Sequence, residues 1–130
     1  MDYPADGIRQ AFREANVPLN EKLFLKGDDT LDKLRMIFEL GVPVDTIVNP
    51  LYSYDDLAEI ARRANFDLSG PSHVCWDSTA EKIRNFHGIS YSYDFTALAR
   101  EAVDLLRVQL EKKDGSPRNV LVPLKIHEIV

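Results

Sequence analysis

The 130-residue chain is 45 % apolar, so it is long and apolar enough to form one domain with a core and too short for a two-domain enzyme. Sixteen Lys and Arg against 21 Asp and Glu leave a net charge of −5, the wrong balance for gripping phosphate backbones unaided. No stretch approaches the roughly 18 uninterrupted apolar residues of a spanning helix, and Met1-Asp2-Tyr3-Pro4 has no basic or apolar leader, so the expectation is a chain that touches no membrane.

Alternating short elements organise the sequence. From Asp6, Ile8, Ala11, Phe12 and Ala15 recur at helical spacing until Asn16 and Pro18 stop the helix. Lys22 to Lys26 has the length of a buried strand. A second helix behind Asp28-Asp29-Thr30 directs Leu31, Leu34, Ile37, Phe38 and Leu40 inward and ends at Gly41. Val44 to Val48 follows as a strand. Ser53 opens a third helix with Leu57, Ile60, Ala61 and Ala64 on its inner face, its acids near the start and its arginines near the end, as the helix dipole favours.

Ser72 to Trp76 reads as the third strand, a short irregular or helical stretch runs to about Phe86, and Ile89 to Tyr93 reads as the fourth. Asp94 caps a long helix that repeats Phe95, Leu98, Ala99, Ala102, Leu105, Leu106 and Leu110 along one face and ends before Gly115-Ser116-Pro117. Val120 to Lys125 closes the series as a strand, with Pro123 inside it pointing to a sheet edge or a crossing segment. Strands alternating with helices predict an α/β fold, an open and mostly parallel sheet with helices on both faces.

In such sheets ligands bind beyond the carboxyl ends of the strands, where loops and helix starts converge. That rule selects Gly27-Asp28-Asp29, Asn49-Pro50-Leu51-Tyr52-Ser53, Asp77-Ser78-Thr79 and Tyr91-Ser92-Tyr93. Together they are rich in hydrogen-bonding groups and tyrosine rings, a mixture suited to small hydroxylated molecules.

Catalytic and metal chemistry find less support. Cys75, the only cysteine, has His73 two residues away on the same strand face, but Cys75 is expected to be a buried structural thiol. The lone thiol fits a reducing cytoplasm, and no Cys/His spacing suits zinc, so no metal or other cofactor is expected. His87 and His127 carry no motif and are expected at the surface or in loops. The Asp28-Asp29 and Asp55-Asp56 pairs are expected to serve helix starts, and Trp76 to be core. Asp77, directly behind an apolar strand, has no packing reason to be there and is the first ligand-binding candidate.

Several of these segments, in this order, resemble a known family. Gly7-Ile8-Arg9-Gln10-Ala11-Phe12, Gly27-Asp28, Tyr54-Asp55-Asp56-Leu57-Ala58, Val74-Cys75-Trp76-Asp77, Ile89-Ser90-Tyr91-Ser92-Tyr93-Asp94 and Pro117 to Pro123 resemble the effector-binding domain of lactose- and galactose-repressor-type transcription regulators. That domain has the fold of the type I periplasmic sugar-binding proteins. The resemblance covers the family domain's second half, so residues 1–130 would be a single domain, one lobe of a ligand-sensing unit lacking its other lobe and its DNA-binding head. It departs from the usual family pattern at Pro4, Asp29 and Tyr54.

What the resemblance implies is a ligand-binding set of Asp77, Tyr54 and Tyr93, to which the strand-end rule adds Asp29, Asn49 and Tyr52. It further implies a cytoplasmic homodimer that senses a small polar effector, a sugar or derivative, and reaches DNA only through the absent domain. The rival expectations are a fragment of a periplasmic sugar-binding transport protein, a small α/β enzyme using Asp28, Asp29 or Asp77 as base, and a bare interaction domain.

Overall fold

The computed structural model describes residues 3–49, 53–112 and 118–130. Helix α1 (Tyr3–Glu14) is followed by a single 3-10 turn at Glu21–Leu23, helix α2 (Thr30–Glu39) and strand β1 (Thr46–Asn49). Helix α3 (Tyr54–Arg63), strand β2 (Ser72–Trp76), the one-turn helix α4 (Asp77–Ala80), strand β3 (Gly88–Ser92), helix α5 (Phe95–Lys112) and strand β4 (Lys125–Ile129) complete the order. The strands lie side by side as β1-β2-β3-β4, the first three parallel and β4 antiparallel to β3. The protein is therefore α/β, with an open and mostly parallel sheet.

Local chemistry sets the element ends. The Ser53 hydroxyl accepts from the Asp56 amide at 3.4 Å and donates to the Asp56 carboxylate at 3.0 Å, which satisfies the first turn of α3. Asp94 accepts from the Ala97 amide at 3.0 Å and starts α5. Left-handed residues stop three helices: Asn16 after α1, Gly41 after α2 and Asn65 after α3.

Two expected strands are corrected. Lys22 to Lys26 is not a strand: Asn20 accepts from the Lys22 amide at 3.1 Å and turns the backbone into a 3-10 helix, with Leu23 61 % exposed. An apolar triplet reads the same in a strand or a turn, and no neighbouring strand pairs with this one. The closing strand is Lys125–Ile129, not Val120 to Lys125, and Pro123 lies outside it; a residue without an amide hydrogen does not join the ladder.

Burial divides the sheet. The register aligns Ile47 with His73 and Gly88, and Asn49 with Cys75 and Ser90. All of these but Gly88 are buried. Phe38 of α2 and Leu57, Ile60 and Ala61 of α3 join Ile47 in the core, and Phe66 stacks on Phe38 with ring centroids 4.0 Å apart. On the opposite face none of Thr46, Val48, Ser72, Val74, Trp76, Ile89 or Tyr91 is buried. The expected cover on both faces is thus met as burial on one. Leu40, expected inside, is exposed at the end of α2.

Gly88 holds β2 and β3 together. Its φ is +132°, and a Cβ there would fall onto the His73 carbonyl oxygen and within 2.6 Å of the His73 nitrogen. Only a residue without a side chain lets the strands approach this closely.

Candidate functional site at the carboxyl edge of the sheet

Strand β2 ends at Trp76, and the chain turns at once into α4, which leaves Asp77 half-buried above the sheet edge. Cys75 pairs with Ser90 across β2 and β3, so Ser90 and Ser92 stand on the side of the sheet from which Asp77 rises. Strand β4 then returns antiparallel and sets His127 opposite Ser90 and Lys125 opposite Ser92. Four segments of sequence meet here: the β2 end, the start of α4, β3 and β4.

Hydrogen bonding from the Ser90 hydroxyl, helped by Ser92 and by the nearby His127 and Lys125, holds the Asp77 carboxyl below its ordinary range, against a smaller opposing effect of partial burial. Asp77 is therefore a carboxylate at neutral pH, an acceptor with two oxygens and several lone pairs. Sequence reasoning selected Asp77 and the segment containing Ser92 but missed Ser90, Lys125 and His127 as its neighbours. The strand register is the signal that brings them in, and β4 had been expected several residues too early.

Beside Asp77 lies a cleft of about 350 Å³ lined by Trp76, Ser78, Glu81, Ser92, Tyr93 and Phe95. Its aromatic wall is continuous: the Trp76 ring lies 4.5 Å from Tyr91 and 5.1 Å from Tyr93, and Tyr93 lies 5.8 Å from Phe95. Tyr93 is 52 % exposed and Trp76 half-buried, so Trp76 is a wall of this cleft and not the core residue expected from its strand. The structure brings Asp77 and Tyr93 to this one cleft.

The other candidates lie elsewhere. Tyr54 opens α3 and lines a separate depression of about 430 Å³ with Arg62, Phe66, Ser69 and Arg84, while Lys82 sits over its ring at 5.9 Å. Asp29 precedes α2 and makes an ion pair with Lys33 at 3.2 Å; Asp28 is exposed beside it. Asn49 is buried at the end of β1, on the same face as Cys75. Tyr52 lies outside the described residues.

Cys75 and His73 are packed into the core. Cys75 has no exposed surface, and burial, with a small contribution from the Asp77 charge, pushes its thiol up to about 11. His73 is 1 % exposed, and its Nε2 donates to the Leu68 carbonyl at 2.6 Å. Burial holds its ring below the ordinary histidine range, against that bond, with a small further push from His87. The Cys75 thiol is therefore protonated at neutral pH and has no surface from which to meet a substrate, and the His73 Nε2 is engaged with the Leu68 carbonyl.

No protein-family model, curated protein or solved structure matches the chain. Among the described residues no group of three or more His, Cys, Asp or Glu could hold a metal ion, and no helix is long and apolar enough to cross a membrane.

Proposed function

We propose that this chain is the ligand-binding part of a sensor for a small hydroxylated molecule, a sugar or derivative, and that it belongs to a bacterial transcription regulator that contacts DNA through another domain. The observation that supports this best is the ionised Asp77 set beside the Trp76–Tyr93–Phe95 wall at the carboxyl edge of a parallel sheet. A carboxylate accepts bonds from two adjacent hydroxyls, and an aromatic face packs against the C–H face of a sugar ring.

Asp77 and Tyr93 are the binding residues in this reading, with Ser92 as an added donor. The cleft is shallow and open, so a second lobe supplies the rest of the contacts. Binding to both lobes favours the closed arrangement by the difference in affinity between open and closed states, which is how such a module signals.

The enzyme alternative has less support. The hydrogen bonds that hold Asp77 low also make it a weak base, and Asp29 is engaged with Lys33. A transport protein would use the same site chemistry. The reading frame upstream separates these two, a DNA-binding segment supporting the regulator.

Trp76 is the only tryptophan, so its fluorescence reports directly on the cleft. Titration with a panel of neutral sugars and sugar phosphates is expected to give weak binding by this chain alone, roughly millimolar or about 4 kcal/mol, with a change in Trp76 emission. Binding that Asp77→Asn leaves untouched overturns the placement of the site. Nanomolar binding by the isolated chain overturns the two-lobe arrangement.

A further inference from the structure

The charges that line the Asp77 cleft are of one sign. Helix α4 contributes Asp77 and Ser78, and Glu81 follows at its end; the Glu81 amide donates to the Asp77 carbonyl at 3.0 Å, so the two carboxylates stand one helical turn apart on the same side. Glu81 is exposed, and its side chain makes no hydrogen bond or ion pair among the described residues. Among those residues no lysine, arginine or histidine lines the cleft. Lys82, next in sequence, serves the other depression, 3.9 Å from Asp55 and 5.9 Å from the centre of the Tyr54 ring. Asp77 is held low first by the Ser90 hydroxyl, and His127 and Lys125 add only a small pull from β4 without lining the cleft.

The uncharged part of the lining is aromatic. Trp76 and Tyr93 are tilted by 42° and Tyr93 and Phe95 by 58°, so the wall is faceted and not a flat stack. Phe95, the first residue of α5, is 72 % exposed, as Leu106 and Leu110 are further along the same stripe, so packing in its own core does not account for a ring at this position. The face of an aromatic ring is electrically negative and attracts an ammonium group, tryptophan most strongly. Carboxylates without a counter-ion and negative ring faces therefore ask the same thing of a ligand, a positive charge.

We infer that the ligand carries a protonated amine, and that it is an amino sugar, its ammonium held by Glu81 and the faces of Trp76 and Phe95 and its hydroxyls by Asp77 and Ser92. This rests on the placement of the ligand beside Asp77. A neutral sugar leaves Glu81 unpaired, and a sugar phosphate brings its charge against two carboxylates.

Titration followed by Trp76 emission separates these ligands. Glucosamine and glucose differ by one ammonium in place of one hydroxyl. At about pH 6.5, where the amine is protonated, glucosamine is expected to bind at least about tenfold more tightly than glucose, and glucose 6-phosphate more weakly than either. Glu81→Gln and Phe95→Leu are each expected to lower the glucosamine-to-glucose ratio about threefold, the first by removing the charge and the second by keeping an apolar side chain without a ring face. Both positions are exposed, so the circular dichroism of the variants should match that of the wild type.

Glucose bound as well as glucosamine, with both weakened by Asp77→Asn, overturns the ammonium inference and leaves the sugar-binding reading standing. A glucosamine preference that neither Glu81→Gln nor Phe95→Leu changes overturns it as well. Saturable binding of tetramethylammonium, with no response to any of the sugars, retains the ammonium site and overturns the sugar reading. Silence from all four compounds overturns both.

Discussion

Replacing Gly88 by alanine probes the joint that carries the site. The added Cβ would collide with the His73 carbonyl oxygen and approach the His73 nitrogen to 2.6 Å, and both are backbone atoms that cannot rotate away. The φ of +132° adds strain of about 1–3 kcal/mol for a residue with a side chain. Parting β2 from β3 would also break the 3.0 Å bond from the His73 amide to the His87 carbonyl, leaving buried polar groups unsatisfied at about 1–3 kcal/mol. The combined loss of about 2–6 kcal/mol is a large share of the 5–15 kcal/mol typical of a domain. With a urea dependence of about 2 kcal/mol per molar, the unfolding midpoint should fall by about 1–3 M, followed by far-ultraviolet circular dichroism. Gly7→Ala is the control. Nothing lies within 4 Å of its new Cβ inside α1, so it should leave the midpoint unchanged or raise stability by up to about 1 kcal/mol. A Gly88→Ala midpoint within about 0.3 M of wild type would refute the argument that this glycine sets the strand spacing.

Asp77→Asn should preserve the fold and weaken ligand binding by about 1.5–3 kcal/mol, measured by Trp76 fluorescence titration; unfolding with residual binding intact would make the residue structural. Trp76→Ala should cost only about 1–2 kcal/mol in urea unfolding, because the ring is half-buried against Tyr91 and Tyr93, and a cost above about 4 kcal/mol would return it to the core. Cys75 should react with thiol reagents at about pH 8 no faster than the chain unfolds; fast labelling of native protein would contradict its burial. His73 sets a pH dependence: its folded value lies below the ordinary 6.5, so as pH falls through that region the unfolded chain takes up a proton that the folded ring refuses, and stability drops. The carboxylates held low, Glu21, Glu59, Asp67 and Asp77, stay ionised there and do not mask it. A urea midpoint equal at about pH 7.5 and about pH 5.5 would show that the His73 ring is not held neutral.

Period and capping carried most of the architecture. Ser72 to Trp76 forms a strand with the expected ends, because five residues between clear turn signals leave no other length. Ser53 and Asp94 start helices where their side chains reach the first free amides. The helical period found the apolar face of α5 correctly but not its direction. Periodicity says that a face is apolar and leaves open whether it meets its own core. Asp77 and Tyr93 were legible because each follows directly on the carboxyl end of a strand, and β2 and β3 are neighbours in the sheet, whereas Tyr54 and Asp29 lie apart from their cleft. Ser90, Lys125 and His127 reach Asp77 through strand pairing, and pairing between β3 and β4 joins residues more than 30 positions apart in the chain.

The antiparallel return of β4 also bears on synthesis. Until residues 125–129 have left the ribosome, β3 is the open border of a three-stranded parallel sheet, with a row of amides and carbonyls facing water. For that interval Asp77 has its two serines but neither of the basic side chains that β4 brings. The nascent sheet can add any extended segment along β3, and β4 is the nearest one the chain itself makes. A slow or stalled passage through the connection from α5 to β4 would lengthen this exposure, so the time between the emergence of β3 and that of residues 125–129 bears on whether the edge is closed by its own strand or by another chain's.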